Sequence, residues 1–366
     1  MFNTNAITEE VGKKDGRATK HDSITLIINK FGVFFMIIIL CIAGMVISDQ
    51  FMTIQNLTNI LDAVAVLGIV SAGVAFVIFC GQYGDMSVPT VMALSGIIAI
   101  EFLRFGIVIS VLAGILSGVA VGLINGYVVG KLRVNAIIWT LAVNFMVDGT
   151  IRWVYKGTQI YPDVQNAETF SKGFFLPLIA KIFPSIKDAD ITSKAETFGK
   201  LSRTYISGVP LMIVIMLVIM AIFYFIMSKT TFGNQLKLVG SNYLVAKMTG
   251  IKSTKVIAMA FITSSVAAAI AGIFYTSLTK VGAYYNGAGY DFSAVTAIIL
   301  GGMSLSGGRG SIIGVFGGVV TLGIISNILT LLGMGTFAQQ MIKGLIFIVV
   351  VAVNTKSLRK LGRDDA

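Results

Sequence analysis

The chain has 366 residues, of which 55% are hydrophobic and only 12% are charged, and its mean hydropathy is +0.87. This composition excludes an ordinary soluble domain and predicts an integral membrane protein. The net charge of +11 does not predict nucleic-acid binding, because the basic residues lie in short tails and loops between apolar spans. The two cysteines lie within or beside apolar runs and the one histidine lies in a polar tail, so we predict no metal, cofactor or catalytic residue.

Apolar runs divide the chain into about ten predicted transmembrane helices, which makes it an all-α polytopic membrane protein. These runs are residues 24–47, 60–79, 88–100, 107–129, 136–153, 210–227, 256–278, 294–300, 311–332 and 337–353. Polar tails are predicted at residues 1–23 and 354–366, an external insertion at 154–209 and a basic connecting loop at 228–255. The run at 294–300 is too short to cross a hydrocarbon core about 30 Å thick, which takes about 20 helical residues.

An even number of spans places both termini on the same side of the membrane. Most of the 28 lysines and arginines also fall on that side, which the positive-inside rule assigns to the cytoplasm. We therefore predict a multi-pass protein of the cell (cytoplasmic or inner) membrane, with both termini cytoplasmic. The basic residues of the 154–209 insertion weaken this count without reversing it.

A short pattern occurs twice. Residues 81–87 (the first motif) and 287–293 (the second motif) both read Gly-x-x-x-Asp-x-Ser, and their aspartates are 206 positions apart. In the predicted topology the helices that precede the two motifs cross in opposite senses. The chain is therefore predicted to contain two inverted repeats, at about 60–153 and 256–353, which is a common construction in transporters.

Broken helices that carry charge are typical of a transport path, because irregular backbone at membrane depth must be enclosed by protein or water. The candidate path or repeat-motif residues are Asp85, Ser87, Asn125, Asp291, Ser293, Gly307, Gly308, Gln339 and Lys343. An unpaired lysine within a span costs at least about 2.5 kcal/mol, so Lys343 should pair with Asp291 or extend to the interface. An alternative role for the amides is to stabilise helix packing. An alternative role for the glycines is to allow close contact between helices.

The basic loop contains a predicted two-turn helix. Ser241 or Asn242 can cap a body at residues 243–249, and Gly250 is well placed to end it. So short a helix is unstable alone in water and needs a surface to pack against. We predict that it contacts a cytoplasmic partner, with an ordinary connecting loop as the alternative. The candidate contact residues are Gly240, Asn242, Leu244, Ala246, Met248 and Gly250.

Several segments resemble the membrane permease of the ribose-type sugar ABC importers, a family that also includes branched-chain amino acid and nucleoside permeases. The segments are the loop around 232–251, the glycine-rich run 301–314, Gly-Leu-Ile-Asn-Gly at 122–126 and Gln-Gln-Met-Ile-Lys-Gly at 339–344. The similarity covers roughly residues 55–355 and departs from the family pattern around Asp85, where Gln82-Tyr83-Gly84 precede the acid and Pro89 replaces a glycine.

The resemblance implies a type II importer fold and a permease that translocates a ribose-like sugar, driven by ATP hydrolysis in a separate subunit. The partners that it implies are ABC ATPase subunits with two nucleotide-binding sites, a second permease chain (the same or a different one) and a periplasmic or lipid-anchored solute-binding protein. The small polar solute and membrane lipid are further partners. The chain lacks the Gly-x-x-x-x-Gly-Lys-[Ser/Thr] phosphate loop, so we predict that it is not itself an enzyme. The alternatives are a permease for a nucleoside, a polyol or another small polar solute, and an ion-coupled secondary transporter.

Overall fold

The computed structural model describes residues 20–162, 191–206 and 209–361, and this part of the chain is almost entirely helical. Its helices are α1 (Lys20–Ile47), α2 (Ile54–Phe79), α3 (Val88–Glu101), α4 (Ile107–Tyr127), α5 (Ala136–Tyr155), α6 (Ile191–Arg203), α7 (Leu211–Lys229), α8 (Thr231–Ser241), α9 (Tyr243–Met248), α10 (Ser253–Thr279), α11 (Tyr290–Leu300), α12 (Ile312–Leu331) and α13 (Thr336–Leu361). A 3-10 turn (Phe102–Phe105) follows α3, and a π-helical turn (Val128–Leu132) extends α4. The strands β1 (Tyr205–Ile206) and β2 (Val209–Pro210) form a small antiparallel hairpin.

The structure confirms the all-α polytopic prediction. Every predicted span coincides with one of the helices above. Six stretches of the described chain are long and apolar enough to cross a membrane: Ile54–Phe79, Val88–Phe105, Ile107–Leu132, Leu211–Lys229, Ser253–Thr279 and Ile312–Leu331. Shorter apolar stretches lie at Gly32–Ile47, Tyr290–Leu300 and Thr336–Ala352. The remaining predicted span is α5, a 20-residue helix that carries an ion pair between Arg152 Nε and Asp148 Oδ2 at 2.8 Å.

Two features differ from the segments predicted from the sequence. The C-terminal tail was predicted to start at residue 354, but α13 continues without a break to Leu361. Part of the 154–209 insertion is helical, since α6 packs against α10 and its Ser202 Oγ donates a hydrogen bond to the Phe274 carbonyl at 2.7 Å. The N-terminal tail at 1–19 and the insertion residues 163–190 and 207–208 lie outside the described residues.

Helices α2 and α10 lie against each other at the centre of the molecule and have corresponding neighbours. Helix α10 contacts α3 and α4, and α2 contacts α11 and α12. Helix α3 also contacts α4 and α5, just as α11 contacts α12 and α13. Exchanging α2–α5 with α10–α13 therefore reproduces the contacts among these eight helices.

A stripe of glycines allows α4 to approach α10 closely. The glycines recur every fourth residue, at Gly114, Gly118, Gly122, Gly126 and Gly130. A Cβ on Gly126 would lie 2.7 Å from the Ala258 Cα, and one on Gly122 would lie 2.8 Å from the Ile262 Cα. Both distances are to backbone, so a side chain at either position would force the helices apart. Small residues at such spacing are typical of helix interfaces in membranes.

Candidate functional site

The first motif follows the end of α2 and precedes α3, and its acid is enclosed. Asp85 is only 1% exposed. Its Oδ1 accepts hydrogen bonds from the Ser87 backbone N–H at 3.0 Å and from Ser87 Oγ at 2.6 Å. Its Oδ2 accepts a hydrogen bond from Ser264 Oγ of α10 at 2.9 Å. A buried carboxyl group has to be satisfied in this way, because an unsatisfied one would cost several kcal/mol.

The network extends from the first motif into α4 and α5. Asn125 Nδ2 donates to Ser87 Oγ at 2.9 Å, and Trp139 Nε1 donates to Asn125 Oδ1 at 3.0 Å. On the neighbouring turn the Met86 backbone N–H donates to Thr140 Oγ1 at 2.9 Å. The structure thus joins three predicted residues, Asp85, Ser87 and Asn125, in one buried network that fixes α3, α4, α5 and α10 relative to one another.

The second motif has a different environment. Asp291 and Ser293 lie in the first turn of α11, which begins after Gly289 in the left-handed conformation at φ 82°. Ser293 lines a cavity of about 670 Å³ between α2, α10, α11, α12 and α13, which we call the second-motif cavity. Gln339 and Lys343 of α13 also line it. The volume lies within the range of about 300–1,000 Å³ that is common for small-molecule sites.

Lys343 is partly buried in the wall of this cavity. Within the described residues, its ammonium group makes no ion pair with Asp291 or any other carboxylate, and no hydrogen bond. The neighbouring Gln339 is held in place, since its Nε2 donates to Thr330 Oγ1 at 3.1 Å and to the Met334 carbonyl at 2.9 Å. The structure therefore brings Ser293, Gln339 and Lys343 together, and it leaves Lys343 without the predicted partner.

The two motifs differ at matching helix positions. Trp139 and Thr140 are the fourth and fifth residues of α5 and hydrogen-bond in the first-motif network. Gln339 and Gln340 are the fourth and fifth residues of α13 and line the second-motif cavity. Side chains that hydrogen-bond beside the first motif therefore correspond to side chains that line a cavity beside the second.

Glycines from three distant segments meet at one end of the bundle, and we call this contact the glycine junction: Gly81, Gly240, Gly307 and Gly308. The Gly308 backbone N–H donates to the Phe79 carbonyl at 2.9 Å, which joins the glycine-rich run to the end of α2. A Cβ on Gly240, near the end of α8, would overlap that same carbonyl oxygen. A Cβ on Gly307 would lie 2.7 Å from the Gly81 Cα. Gly81, Gly307 and Gly308 also have positive φ angles, which favour glycine.

The two-turn helix predicted in the basic loop is present as α9, directly after the glycine junction. Asn242 caps it, because its Oδ1 accepts hydrogen bonds from the backbone N–H groups of Leu244 at 3.0 Å and Val245 at 3.1 Å. Gly250 follows the helix at φ 80°, as the prediction required. The structure confirms the cap and the stop of this element.

Helix α9 buries one side and exposes the other. Ala246 is 1% exposed, whereas Leu244 is 69% and Met248 87% exposed. The guanidinium of Arg133 stacks on the Tyr243 ring, with its carbon 3.8 Å from the ring centroid, and so ties the start of α9 to the segment between α4 and α5. Five lysines lie in the basic loop at 228–255: Lys229, Lys237, Lys247, Lys252 and Lys255.

Sequence reasoning missed part of the first-motif network. Ser264, Trp139 and Thr140 carried no signal, because a serine, tryptophan or threonine in an apolar helix has many other uses. Their roles depend on partners 14 to 179 residues away in the chain. Among the described residues, no group of three or more His, Cys, Asp or Glu side chains could hold a metal ion.

Comparison with known proteins agrees with this architecture. Residues 56–351 match the family model described as "Branched-chain amino acid transport system / permease component". The chain is 30% identical to the ribose import permease protein RbsC of Bacillus subtilis (strain 168) over 334 residues, which cover 90% of this chain and 94% of that protein. It is 29% identical to RbsC of Haemophilus influenzae over 331 residues, which cover 90% and 94% of the two chains.

A third relative is named for a different sugar. The chain is 30% identical to the L-arabinose transport system permease protein AraH of Escherichia coli (strain K12) over 325 residues, covering 88% of this chain and 89% of that one. No solved structure matches the chain. Because the family model covers far more than half of the residues, the chain belongs to the family of branched-chain amino acid transport system permease components, multi-pass proteins of the cell membrane.

Proposed function

We propose that this chain is the membrane-spanning subunit of a binding-protein-dependent ABC importer and that it translocates a small sugar such as ribose or arabinose. The support for a sugar is that the relatives described above are named for ribose and L-arabinose. A separate ATPase subunit drives the movement, with two nucleotide-binding sites in the complete complex. A second permease chain and an external solute-binding protein complete it.

The observation that carries the proposal is the exposed face of α9. Leu244 and Met248 lie four residues apart and project from a short, capped helix whose other side is buried. Exposed apolar side chains in a group of this kind mark a surface for a partner. The ATPase subunit is the partner that the family implies, and α9 directly follows α8, whose Gly240 lies against the end of α2 and the glycine-rich run.

In this arrangement the two repeats have inverted topology and both termini face the cytoplasm. The glycine junction then lies on the cytoplasmic side, and the second-motif cavity lies in the outer half of the membrane. Movement of α8 and α9 by the ATPase would act directly on the end of α2 and on the glycine-rich run before α12. The path residues proposed are those of the second-motif cavity, while the first-motif network holds the helices beside it.

Uptake by proteoliposomes tests this function. Vesicles containing the chain, its ATPase subunit and ATP in the compartment facing the ATPase should accumulate labelled ribose or arabinose when the sugar-loaded binding protein is added. Vesicles with the chain alone should not. Uptake by the chain alone that stops when an uncoupler collapses the ion gradients would instead identify an ion-coupled secondary transporter. Uptake of a nucleoside or polyol in place of the pentoses would support the same ATP-driven mechanism but with a different solute.

A further inference from the structure

The second-motif cavity has a distinctive charge pattern. Lys343 supplies the one formal charge among the described residues that line it, and none of those residues is acidic. Its wall also carries hydroxyl groups, from Ser293, Thr336, Tyr275 and Tyr290. A cavity lined by an ammonium group and by hydroxyl donors complements a ligand that accepts hydrogen bonds and carries negative charge.

The protein itself does not neutralise this ammonium group. Across the described parts of the chain, no carboxylate oxygen lies within ion-pair distance of Lys343 Nζ, although Asp291 is on the adjacent helix α11. The amide of Gln339 is committed to Thr330 and Met334. A lysine partly buried between membrane helices therefore lacks the counter-charge that such residues usually have.

The first motif shows what a completed site looks like in this fold. There the carboxyl group of Asp85 accepts three hydrogen bonds from Ser87 and Ser264 and is only 1% exposed. Beside the second motif a cavity is open, and the formal charge on its lining is the positive one of Lys343. The pattern at the second motif is that of a site whose remaining partner comes from outside the chain.

We propose that the second-motif cavity binds an anionic group, a carboxylate or a phosphate, with Lys343 as its counter-ion. One source is the transported solute, which would then be an acidic sugar; this source rests on the proposed function. The other source is a phospholipid headgroup, with its acyl chains along the apolar side chains of the same cavity, Leu322, Phe292 and Phe347. Basic sites between membrane helices bind lipid headgroups in this way.

Binding to the purified full-length chain in neutral phosphatidylcholine nanodiscs tests the proposal without any transport step. Gluconate is compared with glucose, and discs with added phosphatidylglycerol are compared with phosphatidylcholine alone, with thermal stabilisation as the readout. One of the two anionic probes should stabilise the wild-type chain, and its apparent affinity should fall at least tenfold in Lys343→Gln. Lys343→Arg should retain binding because it keeps the charge. Lys200→Gln, which removes an exposed cation on α6, should have no effect.

A second variant removes the space and keeps the charge. Gly344 lines the cavity, and a Cβ there would meet no atom within 4 Å, so Gly344→Leu should fill the cavity without disturbing the helix. It should abolish the same binding, whereas Gly149→Leu, at an equally open glycine on α5, should not. If Gly344→Leu loses gluconate binding, the anionic group comes from the solute. If it loses phosphatidylglycerol binding, the anionic group comes from the lipid. If neither probe stabilises the wild type more than Lys343→Gln, the proposal is wrong, and sugar import is untouched by that result.

Discussion

Gly240 is the residue at which a single methyl group should abolish the stimulation of ATP hydrolysis by the sugar-loaded binding protein. A Cβ at this position would overlap the Phe79 carbonyl oxygen and would lie 2.8 Å from the Gly308 backbone nitrogen. Both neighbours are backbone atoms, so no side-chain rotation can relieve the contact. Inserting a methyl group into so tight a contact costs about 1–3 kcal/mol.

The same substitution breaks a hydrogen bond. The Gly308 N–H donates to the Phe79 carbonyl at 2.9 Å, and a Cβ between the segments would part them. Loss of one such bond adds about 0.5–1.5 kcal/mol, which brings the total to about 1.5–4.5 kcal/mol. Because each 1.4 kcal/mol is a factor of ten, the closed junction should become roughly 10- to 1,600-fold less populated relative to an open one.

The assay is ATP hydrolysis by the reconstituted complex with saturating sugar-loaded binding protein. In Gly240→Ala the stimulation should fall close to the basal rate, and the isolated chain should unfold at a lower temperature than the wild type. Gly335→Ala is the matched control, because a Cβ there meets no atom within 4 Å and the backbone has no positive φ. If Gly240→Ala unfolds at the wild-type temperature and shows wild-type stimulation, the junction does not transmit the movement of α8 and α9.

Three further predictions use the same preparations. The purified chain alone should show no ATPase activity and should co-purify with the ATPase subunit when the two are co-expressed; turnover by the rigorously pure chain would contradict the assignment. Leu244→Asp should abolish sugar-stimulated ATPase activity while membrane insertion survives, because it places a charge on the exposed face of α9. The control Leu332→Asp makes the same change after α12 and should leave the stimulation intact. Equal stimulation in the two variants would make α9 a simple connector. Gly126→Val should lower the yield of folded chain on size exclusion, because its side chain would meet the Ala258 backbone. The control is Gly149→Val, at a glycine with open space around it. Wild-type yields for both variants would argue against close packing of α4 on α10.

Much of the fold could be predicted from the sequence, because each membrane helix is marked by its own apolar run. Helix α9 was also predictable, since Asn242 and Gly250 act on backbone within a few residues of themselves. These are local signals. Hydropathy and capping report on them regardless of how the helices are arranged.

The contacts between distant segments could not be predicted in the same way. Gly240 was assigned to the coupling loop, and Gly307 and Gly308 to the path, yet the structure places the three together with Gly81. Asn125 was a candidate for the path, and it lies fully buried between Ser87 and Trp139. A glycine or an amide in the sequence shows that close approach or hydrogen bonding is needed, but its partner is fixed only by helix packing.

The difference between the two motifs has a consequence for how the helices can move. Hydrogen bonds from Ser264, Asn125 and Trp139 tie α10, α4 and α5 to the first motif, so moving any of these helices would expose or break buried polar contacts. On the other side, α13 packs mainly against α11 and borders the second-motif cavity. Among the hydrogen bonds described above, α5 reaches its neighbours through Trp139 and Thr140, whereas α13 does so through Gln339 alone. A force applied at the glycine junction, which contacts both α2 and the segment before α12, should accordingly displace α11–α13 while the first-motif side keeps its arrangement.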